Sequence, residues 1–303
     1  MRYLLILLAT LAFAGCQQAP EETTEPASDA AVEETSGTSA SDRLAAVLRA
    51  QPEEARGRYR YRNPQETIEF IGIEPGMVVV EALPGGGWYT KLLLPYLGSD
   101  GLLIGANYEM SMWPLFNFGT PEFVDEMSRW TTEWPTMAED WRGEDGAGVR
   151  AFMLNEMPAE LAGTADVVFA PRVMHNLARF ENAGAGDFLT RALADFYAVL
   201  KPGGVLGIVQ HEARPDMSDE FADGSSGYLK KAWLIEQVEA AGFEFVAESG
   251  INENAADVPT EDDVVWRLPP SLRGTLNDPE LRESYEEIGE SNRMTLKFVK
   301  PEG

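Results

Sequence analysis

From Met77 to Val209 the chain alternates short runs that are apolar almost throughout with longer segments whose apolar residues recur every three or four positions. The first kind fits strands buried on both faces, and the second fits helices that cover them. Strands are predicted over Met77 to Glu81, Gly101 to Ala106, Val149 to Leu154, Ala165 to Ala170 and Val205 to Val209. Helices are predicted over Tyr89 to Leu97, Asp187 to Leu200 and Ser226 to Ala241, the last with Leu229, Trp233, Val238 and Ala241 roughly on one side. The aromatic, Met-rich stretch from Tyr108 to Trp141 reads as helices and loops. Ahead of the first strand, Ser41 to Ala50 predicts a helix capped by Ser41 or Asp42, with Leu44, Val47 and Leu48 on one face. Asn63-Pro64 breaks the pattern, and Glu74-Pro75-Gly76 makes a turn.

Two further strands, Phe243 to Ala247 and Met294 to Val299, have no helical crossover between them, only an irregular insert from Gly250 to Arg293. Strands joined without a crossover pair antiparallel. The expected fold is therefore α/β: a doubly wound, mostly parallel seven-stranded sheet of Rossmann-like type whose last strand runs against the rest. There is no internal repeat.

Composition changes this picture mainly at the N-terminus. Apolar residues make up 44% of the 303, ordinary for a packed core. MRYLLILLATLAFAGC carries one Arg, an apolar run from Tyr3 to Phe13 too short to span a bilayer, and a small pair before the only cysteine, Cys16. It resembles a bacterial lipoprotein signal, which implies cleavage before Cys16 and acylation of its sulfur; an ordinary secretory signal with an incidental cysteine is the alternative. Residues 16–40, acidic and rich in Ser, Thr, Ala and Pro, lack any aromatic or basic group and are expected to be a flexible tether. The folded domain then occupies 41–303, with a helical extension at 41–75 and the insert at 250–293. Gln17 after the cysteine leans, by the same resemblance, toward the periplasmic face of the outer membrane.

The net charge is -26, with six acidic residues in the tether and most of the rest in the domain. Nucleic acid and anionic membrane surfaces are poor partners for such a molecule, so membrane contact is expected only through Cys16.

The chemistry-bearing stretch is VVVEALPGGGWYT, Val78 to Thr90. A parallel sheet binds ligands beyond the carboxyl ends of its strands, where strand order switches, and glycines there let backbone N–H groups and a helix start face a polar ligand. The dinucleotide fingerprint G-x-G-x-x-G/A is missed, because Thr90 follows Gly85 and Gly87 at the third place. An acidic residue ending the first strand, Glu81, followed by a glycine loop, resembles the class I S-adenosylmethionine (SAM) dependent methyltransferases. LKPGGVLGIV, Leu200 to Val209, resembles their turn into the fifth strand, and AGFEFV their lead-in to the sixth. More narrowly, PGGGWYT at Pro84 to Thr90, HN at His175-Asn176 and NRMTLKFVKP at Asn292 to Pro301 are similar to signatures of a little-characterised group within that class. The resemblance covers roughly Arg56 to Pro301.

It implies SAM held at Glu81, Pro84, Gly85, Gly86, Gly87, Trp88 and Tyr89. The aromatic faces of Trp88 and Tyr89 suit the sulfonium by cation–π attraction, or else pack on the sheet. Leu83 stands where those enzymes usually have the loop's first glycine. Asn107 ends the second strand where a ribose-binding acid is common, and Asn155 ends the third as a partner for the adenine amino group. Methyl transfer needs alignment and, where the acceptor carries a proton, a base. His175, with Asn176 beside it, follows the fourth strand and is the natural base near neutrality, or else a helix-capping histidine. His211 follows the fifth strand. A metal on His175, His211 and Glu212 has no local ligand motif, and none is expected. Arg58, Arg60 and Arg62 either hold a carboxylate of cofactor or substrate or pair with the domain's acids. Trp266 to Leu272 is a lid or a packed loop. The expected function is methyl transfer from SAM to a small-molecule acceptor. The alternatives are a methyltransferase fold kept for binding alone and a dinucleotide oxidoreductase.

Overall fold

The computed structural model describes residues 39–303. The expected signal peptide, the acylated Cys16 and the tether to residue 38 lie outside the described residues. The sequence boundary at residue 40 moves slightly, because Ala40 is already helical and Ser39 is the cap. Its hydroxyl accepts from the Asp42 backbone N–H at 3.1 Å, so neither Ser41 nor Asp42 caps.

Among the described residues, four helices precede the sheet: α1 Ala40–Ala50, α2 Glu53–Arg56, α3 Tyr59–Arg62 and α4 Pro64–Ile71. Then come β1 Val78–Ala82, α5 Thr90–Leu97, β2 Leu102–Asn107, α6 Pro121–Met127, α7 Trp130–Arg142 and β3 Gly148–Met153. The second half holds β4 Ala165–Pro171, α8 Met174–Asn182, α9 Phe188–Val199, β5 Leu200–Ala213, β6 Leu229–Lys230, α10 Lys231–Ala240, β7 Glu244–Ser249, α11 Pro279–Ile288 and β8 Arg293–Val299.

The strands lie in the order β3-β2-β1-β4-β5-β8-β7, with β6 paired to the end of β5. Pairing among β1 to β5 is parallel, and β8 runs antiparallel to both neighbours, as the missing crossover required. β6 is a two-residue addition to the seven expected strands. An all-parallel dinucleotide sheet lacks this antiparallel insertion. The chain winds outward from β1 through β2 to β3 and returns to β4 on the other side of β1, so the switch point lies between β1 and β4.

Side-chain alternation explains why both layers of helices are needed. Val79, Leu103, Val167, Phe169 and Val209 face the layer of α1, α4, α5 and α7. Val80, Ile104, Val168, Leu206, Ile208 and Phe298 face α8, α9 and α10. Because each face is buried, each strand reads as an unbroken apolar run. In β2, Gly105 lets the ring of Trp134 lie on the sheet; a Cβ there would stand 2.6 Å from it.

Two expectations shift. α10 begins at Lys231 rather than Ser226, because Gly227 turns the chain at φ 92 and the next residues pair as β6 with Glu212 and Ala213. The insert is not wholly irregular: it contains α11, and a buried Asp257 carboxylate pins it. Arg267 Nη2 donates to Asp257 Oδ1 at 2.9 Å, the Tyr228 hydroxyl to Oδ2 at 2.9 Å, and the Asn292 backbone N–H to Oδ2 at 2.9 Å. Among the described residues, no helix is long and apolar enough to cross a membrane.

Candidate active site

The glycine turn follows β1 directly. Leu83 takes a left-handed conformation at φ 53, the glycine-like backbone that the loop requires even though a leucine occupies it. Gly85 and Gly87 are also left-handed, at φ 54 and 76, and a Cβ on Gly87 would stand 2.3 Å from the Trp141 ring. A Cβ on Gly86 would meet nothing within 4 Å, so that position faces open space. Pro84 is buried at the base of the turn.

Glu81 is 1% exposed beneath the loop, and its Oε2 accepts from the Thr90 hydroxyl at 2.7 Å. Burial lifts its carboxyl to about 7, with the Thr90 bonds opposing. It therefore ties the end of β1 to the start of α5. Trp88 and Tyr89 turn into the α5 side of the sheet. Trp88 lies under the Arg62 guanidinium at 4.4 Å, and Tyr89 packs edge-on against Phe169 at 4.7 Å. Neither lines the cavities described next.

A cavity of about 830 Å³ opens on this turn, within the range of small-molecule sites. Leu83 and Gly85 form one side and Tyr108, Trp113 and Phe116 another, with Asn176 and Trp266 closing it. Asn107, expected on its wall, is buried with its side-chain oxygen folded back onto the Tyr108 N–H at 2.9 Å. Asn155 is an exposed left-handed turn residue whose N–H donates to Asp195, and it too lies off the wall. The residues reaching the wall after β2 are instead aromatic ones from the stretch that sequence periodicity left unresolved.

A second cavity, of about 290 Å³, adjoins the first; Asn176, Trp266 and Ser271 belong to the walls of both. Here the structure does bring His175, Asn176 and His211 together. His175 sits in the first turn of α8, 4% exposed, with its ring 5.4 Å from that of His211. His211 lies inside β5, paired across to Arg293, rather than beyond the strand. The Gln210 amide nitrogen donates to the Gly227 carbonyl at 3.0 Å, which turns its oxygen toward His175 Nδ1 at 3.3 Å. Nδ1 therefore carries the proton, and Nε2 keeps the lone pair. Burial pushes His175 down to about 4, assisted by Arg179 and Arg172 and opposed by the Gln210 bond, instead of leaving it near neutrality. His211 is pushed well down by burial and by His175, and its Nδ1 meets the Ser291 hydroxyl at 2.6 Å. Both rings are neutral at physiological pH.

Asn176 donates to the Tyr108 hydroxyl at 3.1 Å, and its own Oδ1 is buried without a partner. Arg58 and Arg62 both bind Glu290, at 2.5 and 3.1 Å, which meets the acid-pairing alternative; Arg60 instead lies over the Tyr61 ring. Trp266, Leu268, Pro269, Pro270 and Ser271 line the smaller cavity, and Trp266 and Ser271 also line the larger. Glu212 pairs with Lys231, and among the described residues no group of three His, Cys, Asp or Glu is placed to hold a metal. Gln210, Arg172 and Glu290 join the site without having been expected there. Arg172 stands three residues before the His175-Asn176 pair, but nothing local marks Glu290, 228 residues from Arg62.

No family model and no curated protein matches the chain. Among solved structures, it is similar to a SAM-dependent methyltransferase from Aquifex aeolicus, at 13% identity and TM-score 0.46, covering 82% of this chain and 98% of that one. It is also similar to the 4+2 cyclase SpnF (15%, TM-score 0.45, 80% and 81% covered). A third is the arsenic(III) methyltransferase CrArsM of Chlamydomonas reinhardtii (16%, TM-score 0.41, 85% and 73% covered).

Proposed function

We propose that the chain is a SAM-dependent methyltransferase acting on a small molecule. The observation that carries this is the pair of adjoining cavities at the switch point, one opening on the glycine turn and the other lined by His175 and His211. Three features of the larger cavity fit the cofactor: Leu83 and Gly85 of the glycine turn on its wall, an aromatic wall, and the unpartnered Asn176 oxygen at the boundary. Leu83, Gly85, Tyr108 and Trp113 would hold it, and the group would supply an electrophilic methyl carbon. Trp266 and Ser271 exclude water where the cavities meet. His175, neutral and oriented through Gln210, offers Nε2 as a hydrogen-bond acceptor to the acceptor's nucleophile; its value of about 4 makes it a weak base, so proton removal is driven by the methyl transfer itself.

Full-chain calorimetry with SAM and with S-adenosylhomocysteine tests this. One site for each is expected, weakened by Gly85→Val, and no binding of either would end the proposal. A binding role without catalysis is favoured by Asn107 turning its amide away from the wall. The export proposed next, which would separate the domain from the cytoplasmic source of SAM, favours it too. We also place the protein as an acylated lipoprotein on the periplasmic face of the outer membrane, on the resemblance of its first residues. Palmitate labelling that disappears in Cys16→Ala is the expected result.

A further inference from the structure

The smaller cavity carries a charge imbalance that methyl transfer does not explain. Four guanidinium groups, from Arg58, Arg62, Arg172 and Arg293, surround the single carboxylate of Glu290. Glu290 is the only acid on the cavity wall. Both of its oxygens are already used: Oε1 accepts from Arg58 at 2.5 Å and Arg62 at 3.1 Å, and Oε2 from Arg62 and Arg293, each at 3.2 Å. Burial alone would raise its carboxyl, and Arg62, Arg293, Arg172 and Arg58 together hold it low. Arg172 therefore stops at 3.9 Å, outside hydrogen-bond range, and its side chain has no hydrogen bond among the described residues.

Arg62 is 2% exposed, lines the cavity, and has an Nη1 that is buried without a partner. Burial and the nearby Arg172 charge push Arg62 down to about 9. The Arg172 side chain is 25% exposed, so the stranded donor is Arg62 Nη1, and holding a cationic donor away from water is costly unless something anionic returns to it. In a chain with 50 Asp and Glu residues, a second acid was readily available for this corner, and none is placed on the wall. Arg172 is also held left-handed at φ 60, a strained backbone for such a residue, with its N–H fixed on the Val209 carbonyl.

We infer that this cavity is an oxyanion site, in which Arg62 and Arg172 clamp a carboxylate or phosphate group of the methyl acceptor. This rests on the proposed function for the word acceptor, but not for the anion. The cavity wall contains no residue of the glycine turn, which argues against the clamp serving the cofactor's own carboxylate. At about 290 Å³ it has room equal to about ten waters, enough for a small acid.

Inorganic phosphate and benzoate are the probes, titrated by calorimetry into the full chain at constant ionic strength, alongside S-adenosylhomocysteine. Arg172→Asn removes the charge with a residue that tolerates the left-handed backbone, and Arg172→Lys keeps the charge. Saturable binding of at least one probe is expected. It should be weakened about tenfold or more by Arg172→Asn and largely restored in Arg172→Lys, with S-adenosylhomocysteine affinity unchanged in both. A preference for phosphate or for benzoate tells which oxyanion the site takes. No binding of either probe overturns the inference. Loss of S-adenosylhomocysteine affinity in Arg172→Asn, with competition by the anions, also overturns it, because the clamp would then belong to the cofactor. Failure of S-adenosylhomocysteine to bind wild type, with anion binding intact, sinks the proposed function instead and leaves the oxyanion site.

Discussion

Glu81 and Leu83 sit two residues apart and make opposite demands on the fold. The Glu81 carboxyl moves from 4.5 to about 7 on folding, so the folded state holds its proton more tightly than the unfolded chain. Its stabilising effect is complete below pH 4.5 and is lost as pH rises toward 7, by an amount on the order of 3 kcal/mol. His175 works the other way. Its folded value of about 4 lies below 6.5, so its contribution is present above 6.5 and fades as pH falls toward 4. Urea unfolding at pH 5 and pH 8 separates the two, because Glu81→Gln should gain stability over wild type at pH 8 and have little advantage at pH 5. An equal difference at both pH values would show that burial does not perturb this carboxyl. At Leu83 the left-handed backbone costs about 1 kcal/mol, which glycine would relieve while giving up the leucine's contacts with the core. A β-branched residue gains neither, so thermal unfolding should rank Leu83→Gly above Leu83→Val. The glycine loop was legible in the sequence, but Leu83 sitting in its first glycine's conformation was not, because φ follows from how β1 meets α5.

Among the elements, the insert between β7 and β8 departs furthest from its sequence pattern. Its polar composition predicts an irregular loop, yet Asp257, 5% exposed, and Arg267, also 5% exposed, fasten it across the end of the sheet. That pair holds Trp266, and so the wall common to both cavities. Removing one partner from a buried ion pair costs about 3–5 kcal/mol. Asp257→Ala should lose stability of that order, and hydrogen exchange should speed up over 257–273 before it does in β1 or β4. Uniform exchange throughout the chain would mean the insert is not separately pinned. Such pairs evade periodicity because partners ten residues apart, completed by Tyr228 and Asn292, share neither a helix face nor a strand. The same holds for α8. Met174 to Asn182 follows β4 too closely for the strand-end motif to be told from a helix start, and it places His175 in the first turn.

For the whole molecule, the sequence determined the layers. Apolar runs of strand length set between amphipathic helices admit few arrangements, and the missing crossover before Met294 required the antiparallel strand that β8 provides. It also put the glycine turn and His175 just beyond the ends of β1 and β4, because both follow directly from strand boundaries, whereas His211 fell inside β5. Only the tertiary structure decided which side chains line the cavities. Asn107 and Asn155, at the ends of β2 and β3, and Trp88 and Tyr89, at the end of the glycine turn, turn away from the cavities, while Arg62, Arg172 and Glu290 meet from three distant segments. The physical reason is that backbone pattern is local, set by a period of two or of 3.6 residues, whereas charge pairing and cavity walls depend on distances that exist only after the sheet has closed.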